Sequence, residues 1–567
     1  MDLVIQGKGK ISLSKADFKA SGGEGSVYCR GGTAYKLYGQ TDNSGKFIVN
    51  TKKMIPAGKI QELNTLTAPN IIKPQDILLD ASGTPLGYTM RALPDAIALC
   101  QTFTKAYRDR RHITPDHMLK LVQQLQAGVR HVHRQGVLIV DLNEMNFLVD
   151  TGFDQLYFID VDSYQTPHYP ATAIMDSIRD RHSTQFSQNT DWFSFGIVSF
   201  QMLVGIHPFK GKHSTLKTLD ERMMANVSVL NNAVSVPGAC QPFDVVPKVY
   251  RDWYTAVFER GERVAPPDGL ISTVVLSPVM SYILGSDNFI VEEVGSYDGS
   301  VVTVVSSNVL TTKGVWVGKH RVRLVAPGSV FGATPAYLHP VVGWLEQNQL
   351  HLTDISRQKA LDISVSADEI MATGGRIYIR QGDLLMQVAL TELPTRILAS
   401  AQIVGKVLGQ ATQLFEGVAV QDLLGATYLG LLPESGFHEV RVPELDGYRL
   451  VDAKFERGVF VCIGQNKSGR YDSLIFRFDA ALEKYDVRLV EDITLAGVNF
   501  TVLDTGVVAL LNDEEKLELF AKTPGSSARK VVSDKGVDGS CRLFSRGAQT
   551  LIARGGTLYT ITMKKVP

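Results

Sequence analysis

The sequence predicts an α+β unit over residues 11–268. An all-β region follows over residues 271–567 and reads best as a six- or seven-bladed β-propeller. Three observations carry this expectation. Two apolar runs, Val137–Val140 and Leu156–Ile159, each end on a carboxylate, Asp141 and Asp160, as strands do when they deliver an acid to a loop. A long amphipathic helix leads straight into the first of them. Beyond residue 271 no long helical pattern remains, and short β-branched and aromatic runs alternate with Gly, Asp and Asn turns.

Bulk properties set the limits. A chain of 567 residues exceeds what one hydrophobic core supports, so more than one domain is expected. Lys plus Arg equals Asp plus Glu, 58 each, so no net field draws the chain to nucleic acid or to an anionic membrane. The five cysteines (Cys29, Cys100, Cys240, Cys462, Cys541) are scattered and lack C-x-x-C spacing, which argues against zinc and for reduced thiols. No run has the length of a signal-peptide core or a membrane span, and the expected location is the cytoplasm.

Residues 11–40 read as a glycine-rich hairpin, Ser21-Gly22-Gly23-Glu24-Gly25-Ser26-Val27-Tyr28, returning through Ala34-Tyr35-Lys36-Leu37-Tyr38. Glycines let backbone amides approach phosphate oxygens, and a lysine on the next strand reaches the α- and β-phosphates. Alone, the pattern equally suits a plain β-turn. Gly58–Asn64 is a weak helix containing Glu62, and two antiparallel strands follow, Ile71–Asp80 and Pro85–Met90. Thr114-Pro115-Asp116 is a strong helix start, with a hydroxyl cap, proline at the first position and an acid in the first turn. Met118, Leu121, Val122, Leu125, Val129 and Val132 then share one face. His131 and His133 have no metal-ligand partner at useful spacing and read as packing or surface residues. Asn189–Gly196 opens a second apolar helix, which His207-Pro208-Phe209 ends.

Taken in order, these features resemble the eukaryotic-like protein kinases, and the resemblance implies that the α+β unit is two-lobed and protein-kinase-like. The spacing of Asp141 and Asn146 matches that family's catalytic loop, and Asp160 stands at the metal-binding Asp of its DFG motif. Asp191 stands where a buried carboxylate ties down the catalytic loop, and Glu259–Arg263 resembles the arginine-bearing end of the domain. The resemblance implies ATP- and Mg²⁺-dependent transfer to Ser/Thr hydroxyls of a protein substrate. Asp141 would orient or deprotonate the acceptor, while Asn146 and Asp160, with Asp162 beside them, would hold the metal. Lys36 would position the α/β-phosphates under Gly22, Gly23, Gly25 and Val27. Glu62 would pair with Lys36, and backbone near Met90 would bind adenine.

The departures also carry expectations. Val140 replaces the arginine that holds a phosphorylated activation loop, so activity should not depend on phosphorylation at Thr166, Thr172, Ser183 or Thr184. Asn143 replaces a phosphate-contacting lysine, Ala20 replaces the first loop glycine, and no clean A-P-E motif is present. The Asp160-Val161-Asp162-Ser163-Tyr164-Gln165 form resembles bacterial kinase-like proteins found alongside von Willebrand-type proteins and metal-dependent protein phosphatases. It also echoes small-molecule kinases. A pseudokinase scaffold and a small-molecule kinase are the alternatives.

In the second half, Gly314–Val317, Gly375–Ile379, Gly425–Leu429, Gly458–Val461, Gly506–Leu510 and Gly556–Ile561 look like one recurring element. Most gaps are near fifty residues, the period of four-stranded blades. Stacked β-sandwiches are the alternative. No acid pair or metal constellation occurs here, and the expected role is to recruit a substrate or regulate the first half.

Overall fold

In the first lobe, seven strands run in the order β2-β1-β7-β8-β5-β4-β3, with β6 paired to β5. They are β1 (Asp2–Ile5), β2 (Gly9–Ser12), β3 (Phe18–Ser21), β4 (Gly25–Arg30), β5 (Thr33–Thr41), β6 (Phe47–Val49), β7 (Ile77–Leu79) and β8 (Pro85–Arg91). The sheet thus draws in strands upstream of residue 11, where the sequence reading opens the unit. The computed structural model describes residues 1–21, 25–41, 47–50, 53–268, 285–323, 325–434, 436–494 and 497–564. Gly22 and Gly23 lie outside these residues. Gly25 is obligatory for space, because a Cβ there would meet the Leu37 carbonyl oxygen of β5 at 2.2 Å.

One short helix, α1 (Ala57–Leu63), accompanies the sheet, and the second lobe is helical. Its helices are α2 (Lys105–Arg111), α3 (Pro115–Arg134), α4 (Gln188–Val204), α5 (Leu219–Ala225) and α6 (Lys248–Phe258). Thr114 caps α3 as expected, its hydroxyl accepting from the His117 N–H. Helix α4 is buried from Thr190 to Val204 on every face, which is why its sequence is apolar all round. A small sheet, β9 (Ile97–Ala98), β10 (Phe147–Val149) and β11 (Leu156–Phe158), lies between the lobes in the order β11-β10-β9.

The second half holds seven four-stranded antiparallel sheets. Six are built from consecutive strands, over residues 301–323, 330–360, 369–406, 412–441, 449–490 and 500–532. The seventh joins Phe289–Ser296 to the last three strands, pairing antiparallel with Thr557–Met563. First strands of successive sheets touch, as 301–305 does with 330–333 and 412–415 with 449–456. The glycine-led element of the sequence is a real strand start, but it is the second strand of some sheets and the third of others, so its spacing is uneven. The sheet at 330–360 carries no such glycine. Gln347 and Asn348, at φ 49° and 60°, make its tight turn instead, so no glycine marks it in the sequence.

Both lobes pack on these sheets. The helical lobe's core takes in Val451, Ile463, Tyr471 and Ile493, and the first lobe's core takes in Ala411 with Leu408 and Leu424. All five cysteines are free, and among the described residues no helix is long and apolar enough to cross a membrane.

Candidate active site

The hairpin β10–β11 assembles the centre. Phe147 stands opposite Phe158, which brings Asn146, at the start of one strand, beside Ile159 and Asp160 at the end of the other. The Ile159 N–H donates to the Asn146 carbonyl at 3.0 Å. A second tie joins Leu138 and Gln165, which exchange backbone hydrogen bonds at 2.9 Å. The two acid-bearing loops therefore converge, as the sequence predicts.

The loop before β10 is held from below by Asp191. Its carboxylate accepts the N–H groups of Ile139 (2.8 Å) and Val140 (2.9 Å), and His133 Nε2 lies 2.9 Å away. Val140 sits at φ 63°, costly for a β-branched residue, and these two bonds help hold it there. His133 is thus a buttress of the carboxylate, while His131 accepts from the Thr67 N–H at 3.2 Å. Asn146 Nδ2 donates to the Asp141 carbonyl (2.9 Å) and to Asp141 Oδ2 (3.3 Å). The other oxygen, Oδ1, accepts the Met175 N–H at 2.8 Å. Burial raises the Asp141 pKa above the ordinary carboxylate range, against the hydrogen bonds from Asn143, Met175 and Asn146.

Lys36 projects from β5, opposite Val27 on β4, and is 5% exposed. Its ammonium lies 3.2 Å from Asp160 Oδ1 and 2.9 and 2.8 Å from the two oxygens of Asp162. Burial alone would lower its pKa, but Asp160 and Asp162 outweigh that and hold it well above the usual lysine value. Asp160 itself is left-handed at φ 55° and its side chain is 38% exposed, turned toward the cleft. Val27, Lys36, Met90, Asp141, Asn146 and Asp160 all line one cavity of about 2810 Å³, which continues past them between the β-sheets.

Two expectations are corrected. Glu62 does not pair with Lys36. It binds His168, with Oε1 2.6 Å from Nδ1. A helix of seven residues, packed on the segment at 168–170, does not bring Glu62 to β5. Asp162 is not free for metal, because both oxygens face Lys36 and the Tyr38 hydroxyl donates to one of them. The donors left for a cation are the Asp160 carboxylate and the Asn146 amide oxygen. Among the described residues no group of three His, Cys, Asp or Glu is placed to hold a metal. Two protein ligands suit a hard cation that takes its remaining oxygens from phosphates and water.

Sequence reasoning missed several residues. Asp180 holds Arg263 with two bonds, at 2.6 and 2.7 Å, closing the segment that carries no A-P-E. Burial lowers the His207 pKa to about 3, and its Nε2–H donates to the Ser177 carbonyl at 2.9 Å. From the second half, Gln465 Nε2 donates to Glu144 Oε1 at 3.0 Å, and the Tyr471 hydroxyl donates to the same oxygen. These partners lie hundreds of residues apart, which no local pattern reports.

Comparison with known proteins agrees with this geometry. Residues 46–243 match the protein kinase domain family. A protein kinase C delta type homolog of Drosophila melanogaster is 31% identical over 101 residues, 16% of this chain and 14% of that protein. Mouse myosin light chain kinase 2 of skeletal and cardiac muscle is 22% identical, covering 31% of this chain and 30% of that protein. Human serine/threonine-protein kinase Nek2 is 20% identical, covering 29% of this chain and 39% of that protein. The chain thus spans well under half the length of these curated relatives. The solved structure of the Cydia pomonella granulovirus kinase PK-1 aligns at 16% identity with a TM-score of 0.31, over 42% of this chain and 85% of that one. ATP and a divalent metal are what such a domain uses in general, and the chain carries a protein kinase domain whose relatives include serine/threonine kinases.

Proposed function

We propose that this protein transfers the γ-phosphoryl group of ATP, with Mg²⁺, to Ser or Thr hydroxyls of a protein substrate in the cytoplasm. The observation that carries the reading is the convergence of Lys36, Asp160, Asn146 and Asp141 on one cleft under β4 and β5. Lys36 would contact the α- and β-phosphates, Val27 and Gly25 would roof the nucleotide, and backbone at Met90 would meet adenine. Mg²⁺, held by Asp160 and Asn146, would neutralise charge on the phosphates. Asp141 would take the proton of the attacking hydroxyl as its oxygen bonds to the γ-phosphorus and the bond to ADP breaks.

The seven sheets are read as a β-propeller closed by the pairing of 289–296 with 557–563. Regulation, more than recruitment, fits its contacts. The hairpin at 465–471 supports Glu144 of the catalytic loop, and Met175, whose N–H reaches Asp141, lies on Gly469. That support from within the chain also explains the absence of an arginine at Val140.

Incubation with γ-labelled ATP and Mg²⁺, alone and with cell lysate, tests the reading. Label on protein Ser or Thr supports it. ATP binding without turnover would instead favour a scaffold, a reading that the engagement of Asp141 by Met175 favours. Label confined to metabolites would mark a small-molecule kinase.

A further inference from the structure

The lysine of this site has lost its expected helix partner and gained another. Lys36 is enclosed by Asp162, 1% exposed, and by the rings of Tyr38 and Tyr88, whose centroids lie 5.6 and 5.9 Å from its ammonium. Both Asp162 oxygens face the lysine, and the Tyr38 hydroxyl fixes the carboxylate. Glu62, on α1, is held by His168. Asp160 and Asp162 are separated by one residue on a single 3₁₀ turn, Val161–Ser163 with Asp160 as its cap. From that turn one carboxylate faces the cleft and the other reaches into the first lobe.

We infer that Asp162 is the positioning residue for Lys36, supplying from the metal-side loop the counter-charge that α1 does not supply. The inference rests on the phosphoryl-transfer reading of the site. Its consequence is mechanical. The acid that would hold the metal and the lysine that would hold the phosphates are tied through one short turn, whose Asp162 grips the lysine across from β5. Helix α1 packs against that turn, so it bears on the lysine through Asp162 and not through Glu62.

The test is a double-mutant cycle on the full chain with Lys36→Met, Asp162→Asn and both together, and with Glu62→Gln as the comparison. Melting temperature, affinity for a fluorescent ATP analogue with Mg²⁺, and kcat and KM for transfer are measured. Stranding one buried charge should cost each single variant several degrees, and the double variant should recover most of that loss. Asp162→Asn should raise KM for ATP by roughly tenfold to a hundredfold and leave KM for the protein substrate unchanged. Asp162→Glu should restore part of the ATP affinity, and Glu62→Gln should stay within about twofold of wild type. If Asp162→Asn does not fold, Tyr38→Phe removes one donor to the carboxylate and should raise KM for ATP by roughly threefold. Additive losses in the cycle, or a Glu62→Gln variant as impaired as Asp162→Asn, would overturn the inference. If the wild type transfers no phosphate, the functional reading fails, while the melting cycle still decides the pairing.

Discussion

Replacing Gly469 by alanine tests whether the second half positions the catalytic loop. Gly469 stands at φ +78°, and a Cβ there would lie 2.3 Å from both Cγ and Sδ of Met175 and 2.9 Å from Ser177 Oγ. The left-handed backbone costs an alanine about 1–2 kcal/mol, which lowers the melting temperature by a few degrees. The overlap is relieved differently. Methionine is flexible, so Met175 yields before the β-hairpin does. The cost then falls on the segment whose N–H holds Asp141 Oδ1 at 2.8 Å. Misplacing a catalytic group by about 1 Å costs on the order of a hundredfold, so transfer should fall roughly tenfold to a hundredfold. ATP affinity should stay within about twofold, because Lys36 and Asp160 are untouched. Initial rates of ³²P transfer, paired with nucleotide titration, read both quantities. A variant that melts lower yet transfers at the wild-type rate would refute the idea that this hairpin places Asp141.

Asp141→Ala should abolish transfer and spare nucleotide binding, whereas Asp160→Ala should remove metal-dependent binding as well; single-turnover rates and ATP titrations with and without Mg²⁺ separate the two. Thr172, Ser183 and Thr184 changed together to alanine should leave the rate within about twofold, since the activation segment is held by Met175, His207 and Asp180. A silent triple variant would mean that phosphorylation there is required. His207 stays neutral in the fold down to about pH 3, whereas in the unfolded chain it takes a proton near pH 6.5. The unfolded state therefore binds more protons below that pH, and stability falls as the pH falls, by about 2 kcal/mol at pH 5. His207→Gln should flatten that acid limb. Parallel melting curves for variant and wild type between pH 7 and 5 would count against it.

The centre was legible where chemistry and local pattern coincide. Asp141 and Asp160 each end an apolar run and Asp191 opens a helix, so periodicity places these acids, while their roles and that of Asn146 follow from the resemblance to protein kinases. Partner choice was not legible. Whether Lys36 meets Glu62 or Asp162 depends on how far α1 stands from β5 and on the turn after Asp160, and neither distance is written in spacing. Asp180 is not legible because its bidentate partner, Arg263, lies 83 residues further along the chain. In the β-sheets the glycine turns announce the strands, but the turn through Gln347 and Asn348 reaches the same left-handed geometry without glycine, and nothing in the pattern marks that sheet.

The pairing of Phe289–Ser296 with Thr557–Met563 has a consequence for biosynthesis. The catalytic half leaves the ribosome complete while its covering half still lacks a last strand. At typical elongation speeds the interval is roughly a quarter of a minute to a minute. Only in about the last third of that time is the hairpin bearing Gly469 present, and the strand pairing that completes the second half is then still missing. A chain of this topology is built with its own delay, since Phe289–Ser296 waits for Thr557–Met563 to be made before it has its neighbour.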